Sequence, residues 1–233
     1  MTTQQASRLG IGIVGAGRVG PVLGRALAGA GHAITGISAV SEESRERAEA
    51  MLPGVPVLEV QEIVRRSELV LLAIPGSELE GLVSGLAKLG AWQPGQLVIH
   101  TAPEHGTGVF AAAPGVIPIA LHPSMVFTGT SLDIARLNGA TVAVTAPAVV
   151  QPIGQALVVE MGAEPVLVAE TDRAAYAAAV AAAAATARRA AAEAVLVLQQ
   201  LGVARADRIV GGAVHSAVDE EMGRHGGDVD LGS

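Results

Sequence analysis

Residues 10–20 read Gly-Ile-Gly-Ile-Val-Gly-Ala-Gly-Arg-Val-Gly, or GIGIVGAGRVG. Gly10 to Val14 is a short apolar run of strand type, and Gly15, Gly17 and Gly20 follow at the spacing G-x-G-x-x-G. A helical pattern runs from Arg18 to Ala30 and stops at Gly31. Strand, glycine turn and helix in that order are the context in which this spacing carries chemistry. The first glycine makes the tight turn. The second lets backbone approach a pyrophosphate, and the third lets helix and strand pack closely. The helix N-terminus then faces the anion. Gly15, Ala16, Gly17, Arg18, Val19 and Gly20 are the first candidates for holding a dinucleotide. The competing reading is a tight turn that binds nothing.

The pattern continues outward from this turn. Ala33 to Ser38 reads as a second strand, and Ser41 can N-cap a helix whose first turn holds Glu42 and Glu43. Leu58 to Arg66 is a short helix, Glu68 to Ile74 a strand, Ser77 to Leu89 a helix and Gln96 to His100 a strand. Val116 to Leu121, Thr141 to Thr145 and Pro165 to Val168 are three further strands. Near-continuous apolar strands separated by helices predict a doubly wound parallel α/β sheet. Ligands of such sheets lie outside the carboxyl ends of the strands. From about residue 170 the pattern is helical only, with one long helix to about Gln200 and a second from about Ala206 to Arg224. The expected division is therefore a dinucleotide-binding domain over residues 8–169 and a helical substrate or dimerisation domain over 170–233, read as incomplete.

An acidic residue about 20 positions beyond the turn would meet the ribose 2′-hydroxyl of NAD. Ser38 and Ser41 stand there instead. Hydroxyls suit a 2′-phosphate, with Arg45 or Arg18 as countercharge, whereas Glu42 and Glu43 would repel one. The balance favours NADP and leaves NAD open.

Three polar clusters fall at predicted carboxyl ends of strands: Ile74-Pro75-Gly76-Ser77, His100-Thr101 with Glu104 and His105 just beyond, and His122-Pro123-Ser124-Met125. Hydride transfer needs a group that polarises or protonates the substrate oxygen, and histidine suits that work near neutral pH. His100 and His122 are the catalytic candidates. Either could equally be a satisfied core histidine. His32, at a helix end, reads as structural, and His215 and His225 read as surface residues. Three imidazoles could suit zinc, but no HxxxH helix or carboxylate array accompanies them, so no metal is expected.

Composition narrows the classes. Half of the 233 residues are apolar, which is enough for a core and argues against disorder. The chain holds 44 Ala and 29 Gly but only Trp92, Phe110, Phe127 and Tyr176 as aromatics. With a net charge of −7 it lacks both the stacking faces and the basic groove of a nucleic-acid binder. Zero Cys excludes disulfides and thiol chemistry. The longest apolar run, Ala174 to Ala187, is shorter than the roughly 20 residues a membrane span needs, and no secretory signal is visible. A cytoplasmic, non-membrane protein is expected. G-x-S-x-G and G-x-x-x-x-G-K-[ST] are both absent, which removes two hydrolase classes.

GIGIVGAGRVG, LVLLAIP, VIHTAPEHG and IALHPSMVFTGTSLDIARL, in this order and spacing, resemble the family in which a Rossmann-like domain is followed by DUF2520. The resemblance covers roughly residues 8 to 225. It implies a fold shared with 6-phosphogluconate dehydrogenase, pyrroline-5-carboxylate reductase and F420-dependent NADP oxidoreductase. Some members look like ketopantoate reductases. By position, Gly15, Gly17, Arg18, Val19 and Gly20 would hold the pyrophosphate, and Ser38 and Ser41 would meet the adenosine ribose. Ile74 and Pro75 would pass beside the nicotinamide ribose, and His100, Thr101 and His122 would border the reacting carbon. Two departures stand out. Relatives tend to carry His and Asn on the long helix where this chain has Ala181 to Thr186, nearly all Ala. Relatives also usually continue with further helices.

The expected function is an NADP-dependent reductase of a small carbonyl acid, with 2-dehydropantoate as the single best candidate. The alternatives are an imine reductase of the pyrroline-5-carboxylate type and a dinucleotide-binding module without catalysis. A homodimer through the C-terminal helices is expected, because an Ala-rich helix permits close approach and apolar helices need burial.

Overall fold

A computed structural model describes residues 8–225. The chain divides into two compact units, the first ending at Ala177 and the second beginning at Ala178. The boundary falls inside one long helix, a little beyond the expected 169/170.

The first unit is built on seven strands, β1 (Gly10–Val14), β2 (Ala33–Ser38), β3 (Leu69–Leu72), β4 (Leu97–His100), β5 (Ile117–Pro123), β6 (Thr141–Thr145) and β7 (Glu164–Leu167). They form one sheet in the order β2-β1-β3-β4-β5-β6-β7. The first five are mutually parallel. The chain moves from β1 out to the edge at β2 and returns to β3 on the other side of β1. That reversal opens a crevice at the carboxyl ends of β1 and β3.

The helices of this unit are α1 (Gly20–Gly29), α2 (Glu42–Met51), α3 (Val60–Arg66), α4 (Gly76–Lys88), α5 (Leu132–Leu137) and α6 (Gln151–Glu160). Alternate strand residues feed two apolar layers, as the pleat requires. Ile11, Ile13, Leu71, Ile99 and Ile119 pack with Val22 and Leu23 of α1 and with Leu157 and Val158 of α6. Val14, Val70, Leu72 and Val98 pack with Ile63 of α3 and with Leu79, Val83 and Leu86 of α4.

Three features differ from the expected pattern. β6 runs antiparallel to β5, and β7 is parallel to β6, so the sheet is mostly rather than wholly parallel. Pairing with β6 also carries β5 past Leu121, because His122 lies opposite Ala143 and Pro123 opposite Val142. α1 begins at Gly20, with Pro at the head of the helix where its missing N–H is harmless. Arg18 and Val19 are thereby left in the turn.

α7 (Arg173–Gln200) starts in the first unit, where Arg173 and Ala177 are buried, and continues into the second. The second unit also holds α8 (Ala206–His225). Among the described residues no helix is long and apolar enough to cross a membrane.

Candidate functional site

The glycine turn has the geometry its sequence demands. Gly15 has φ +105°, and a Cβ there would sit 2.5 Å from the Ala73 carbonyl oxygen. A Cβ on Gly20 would lie 2.1 Å from the Gly15 carbonyl oxygen, so α1 packs directly on the turn. Gly17 is different, because a Cβ there would meet nothing within 4 Å. Its backbone faces open space at the head of α1, which is the cradle an anionic pyrophosphate requires.

Two cavities flank this turn. One, of about 560 Å³, is lined by Gly15, Ala16, Ser38, Ser41, Ser44 and Ile74 among others. The second, of about 410 Å³, is lined by Arg18, Val19, Ile74, Pro75, Thr101 and His122, with Met125 and Phe127. Ile74 contributes to the walls of both. A larger groove of about 830 Å³ between α3 and α4 adjoins the first through Val60 and Leu82. It contains no residue of the glycine turn or of the polar strand ends, and its size alone does not make it the site.

The serines and arginines near β2 are already engaged. Ser38 Oγ accepts from the Gly15 N–H at 2.9 Å and braces the turn. Ser41 Oγ accepts from the Ser44 N–H at 3.2 Å and caps α2. Arg45 lines neither cavity. It is exposed and lies 3.6 Å from Glu42. The guanidinium at the turn belongs instead to Arg47, whose Nη1 donates to the Ala16 carbonyl at 3.1 Å while Nη2 pairs with Glu43. A helix advances about 100° per residue, so Arg45 and Arg47 point to different sides of α2. The loop after β5 closes over this region. Asp133 is buried and accepts from the N–H groups of Thr128 and Gly129 at 2.8 and 2.7 Å. A Cβ on Gly129 would touch Arg47 and the Arg18 backbone.

His100 and His122 end adjacent strands but are differently placed. His100 is fully buried and lines neither cavity. Its Nε2 donates to the Gly106 carbonyl at 3.0 Å and ties down the loop beyond β4, while Nδ1 is buried without a partner. His122 lines the second cavity. Its Nδ1 lies 2.8 Å from the Tyr176 hydroxyl, which lies 2.8 Å from Ser124 Oγ. Both imidazoles are lowered from 6.5 to about 4, chiefly by burial and further by the Arg173 charge. Against this, the Gly106 carbonyl raises His100, and the Glu104 charge raises His122.

Arg173 is the source of that charge. It is 1 % exposed, and Nε donates to Thr145 Oγ1 and Nη2 to the Ala120 carbonyl, both at 2.8 Å. Nη1 has no partner, and the guanidinium lies 5.9 Å from the Tyr176 ring centre. Burial lowers its pKa, but an arginine so held remains a cation. Glu170 is engaged elsewhere. It accepts from the Thr107 N–H, the Gly108 N–H and the Thr107 hydroxyl at 2.8 to 3.0 Å, capping a 3₁₀ turn at Thr107–Phe110. Burial alone would raise the Glu170 carboxyl. The Gly108 and Thr107 N–H groups, the Thr107 hydroxyl and the Arg173 charge outweigh it and hold it below its usual value.

Sequence reasoning placed Ser124 in the cluster with His122 but missed Arg173, Tyr176 and Arg47 as parts of this region. Two signals were available. Arg173 opens a helix, where the dipole disfavours a cation, and Tyr176 is a single aromatic residue in an alanine run. Among the described residues no group of three or more His, Asp or Glu could hold a metal ion.

The model of the Rossmann-like domain matches residues 1–123, and that of the domain of unknown function DUF2520 matches residues 140–225. The chain belongs to this two-part family. No curated protein matches the sequence. Solved structures share its fold. BF3122 of Bacteroides fragilis, provisionally named an NADP oxidoreductase, superposes with a TM-score of 0.73 at 16% identity, covering 96% of this chain and 82% of that one. The 1-pyrroline-5-carboxylate reductase of Streptococcus pyogenes gives 0.69 at 20% identity, with 91% and 79% covered. The pyrroline carboxylate reductase of Plasmodium falciparum, solved with NADP bound, gives 0.66 at 12% identity, with 91% and 78% covered.

Proposed function

We propose that this member of the Rossmann-like/DUF2520 family is an NADP-dependent oxidoreductase that reduces a C=O or C=N bond in a small acid. The observation that carries the reading is the pair of cavities flanking the glycine turn on either side of Ile74, with His122 in the wall of the second. The open backbone at Gly17 fits a pyrophosphate, which Gly15, Ala16, Gly17, Arg18, Val19 and Gly20 would hold. Ser38, Ser41 and Ser44 line the side that would take the adenosine ribose. Ile74, Pro75 and Thr101 line the side that would take the nicotinamide. When bound, the reduced nicotinamide supplies a hydride. His122 is placed to polarise and protonate the acceptor oxygen or nitrogen. His100 we assign to holding the loop beyond β4, since its ring is shut away from both cavities.

The domain assignment follows this chemistry, with dinucleotide binding in residues 8–169 and substrate binding or dimerisation in 170–233. Exposed apolar residues on α7 and α8, among them Leu196, Val197, Ile209 and Met222, support a homodimer through these helices. A cytoplasmic location fits the cofactor.

For the substrate, 2-dehydropantoate is the first carbonyl acid to test, on the family resemblance. 1-Pyrroline-5-carboxylate is the cyclic imine to test, because solved neighbours named as reductases of that imine share the fold. The experiment follows NADPH absorbance as each compound is added, alongside calorimetry with NADP and NAD. Oxidation of NADPH with one of them supports the reading and selects the substrate. Tight NADP binding with a flat trace over a panel of 2-oxo acids and cyclic imines favours a binding module without catalysis. Tighter binding of NAD overturns the choice of cofactor.

A further inference from the structure

The hydroxyl of Tyr176 touches His122 on one side and Ser124 on the other, at 2.8 Å each. Ser124 is exposed and His122 lines the cavity. The three side chains are a continuous hydrogen-bonded file from solvent to the cavity wall. Tyr176 lies 54 residues beyond His122 in the chain and reaches it because the first turn of α7 is seated on β5. We propose that Ser124, Tyr176 and His122 form a proton wire that delivers one proton from solvent to the substrate heteroatom in each turnover. This rests on the reductase reading above.

Each reduction has a fixed proton demand. A carbonyl carbon that has received a hydride leaves its oxygen one proton short, and an imine leaves its nitrogen likewise. His122 can meet that demand from Nε2, the ring nitrogen that Tyr176 does not occupy. An imidazolium is a poor store for the proton here. With a pKa of about 4, it amounts to about one His122 ring in a thousand at neutral pH. A neutral imidazole can still donate if its other nitrogen gains a proton as the first leaves. The Nε2–H bond breaks as the new O–H or N–H bond forms. Nδ1 takes the proton of Tyr176 Oη, Oη takes that of Ser124 Oγ, and Oγ is replenished by water. One proton enters from solvent, one reaches the substrate, and no side chain changes its net charge. His122 is left protonated at Nδ1. After product release, water entering the cavity protonates Nε2 while the Nδ1 proton returns through Tyr176 and Ser124 to solvent, which restores the starting tautomer. The Arg173 cation, 5.9 Å from the Tyr176 ring centre, stabilises negative charge that develops on Oη during the transfer.

The wire requires one tautomer. Tyr176 must donate to Nδ1, leaving His122 protonated at Nε2. Tyr176 acts through His122 and is a positioning and relay residue, while His122 is the group that would touch the substrate. The test has two arms. In the first, ¹⁵N NMR of the free protein, assigned with His122→Gln, should show His122 in the Nε2–H form. Tyr176→Phe, which removes only the hydroxyl, should convert it to a mixture of tautomers. In the second, Tyr176→Phe should lower kcat roughly 10- to 100-fold with 2-dehydropantoate or 1-pyrroline-5-carboxylate. NADP affinity should stay within about twofold. Ser124→Ala should give a smaller loss and a changed solvent isotope effect. An Nδ1–H His122 in the wild type overturns the wire, and so does an unchanged kcat in Tyr176→Phe. A wild type that binds NADP but reduces neither compound overturns the reductase reading, whatever the tautomer.

Discussion

Arg173 Nη2 donates to the Ala120 carbonyl at 2.8 Å and joins the first turn of α7 to the middle of β5. The same guanidinium holds Thr145 on β6 through Nε. Thr145 lies opposite Ala120 in the sheet, so one side chain clamps two strands at one level. Its positive charge also reaches His100 and His122. Arg173→Met keeps most of the apolar stem but removes both hydrogen bonds, leaving buried acceptors without their charged donor. The expected loss is roughly 2–4 kcal/mol of folding stability, read by urea denaturation. The histidine titrations should move in the opposite sense to ordinary destabilisation by burial. With the cation gone, His122 should titrate above its wild-type value, followed by NMR at a pH where the variant is folded. A His122 titration that stays in place would refute the electrostatic link.

Acid should destabilise the protein well above the carboxylate range. In the native state His100 and His122 stay neutral down to about pH 4, whereas in an unfolded chain they protonate near 6.5. Between those values the unfolded state binds more protons, so stability falls as pH falls. The stability attached to these two groups is fully present above about pH 6.5 and is lost progressively toward pH 4. Each histidine accounts for on the order of 2–3 kcal/mol across that window. Urea unfolding from about pH 7.5 to about pH 4 should show the slope. His122→Gln should reduce it by about half, and a flat profile would contradict the lowered values.

The legible parts of this chain were those fixed by local pattern. The apolar run Gly10–Val14, the glycine spacing and the Pro-headed helix α1 are close in sequence, and each constrains the next. The direction of β6 was not legible. An apolar strand reads alike in either direction, and the connection from Ser124 to Ala140 is long enough for either crossing. His100 and His122 looked equivalent because each ends an apolar strand. They are separated by remote partners, Gly106 folding back over one and Tyr176 arriving beside the other. Tyr176 was hidden for a further reason. The alanine run of α7 has no amphipathic stripe, so periodicity could not say which side of the helix meets the sheet.

Gly20 and Gly17 should separate folding from binding within one turn. A Cβ on Gly20 would sit 2.1 Å from the Gly15 carbonyl oxygen, and backbone cannot yield that distance cheaply. Gly20→Ala should therefore lower the melting temperature, with a loss of about 2 kcal/mol or more. A Cβ on Gly17 meets no protein atom within 4 Å. Gly17→Ala should keep the wild-type melting temperature but weaken NADP binding about tenfold or more, equivalent to about 1.4 kcal/mol. Calorimetry and thermal melts on both variants check the pair. Equal NADP affinity in Gly17→Ala would remove the pyrophosphate from this position.

Arg45 and Arg47 offer a test of which guanidinium serves the cofactor side. The sequence offered Arg45 or Arg18 as the countercharge; Arg18 lines the second cavity, whereas Arg45 is exposed beside Glu42 and lines neither. Arg45→Ala should change NADP affinity by less than about twofold, since an exposed pair contributes little. Arg47 is mostly buried and donates to the Ala16 carbonyl inside the glycine turn, with Glu43 holding its other end. Gly129 of the loop after β5 packs against the same guanidinium. Arg47→Ala should loosen the turn and that loop together, because both rest on one side chain. The expected result is a loss of roughly 1–2 kcal/mol in stability and weaker binding of both NADP and NAD. Equal weakening of the two cofactors is the informative part. A guanidinium that braces the turn affects the pyrophosphate they share, whereas one that contacts the 2′-phosphate would affect NADP alone. Selective loss of NADP in Arg47→Ala would move Arg47 from bracing the turn to reading the cofactor.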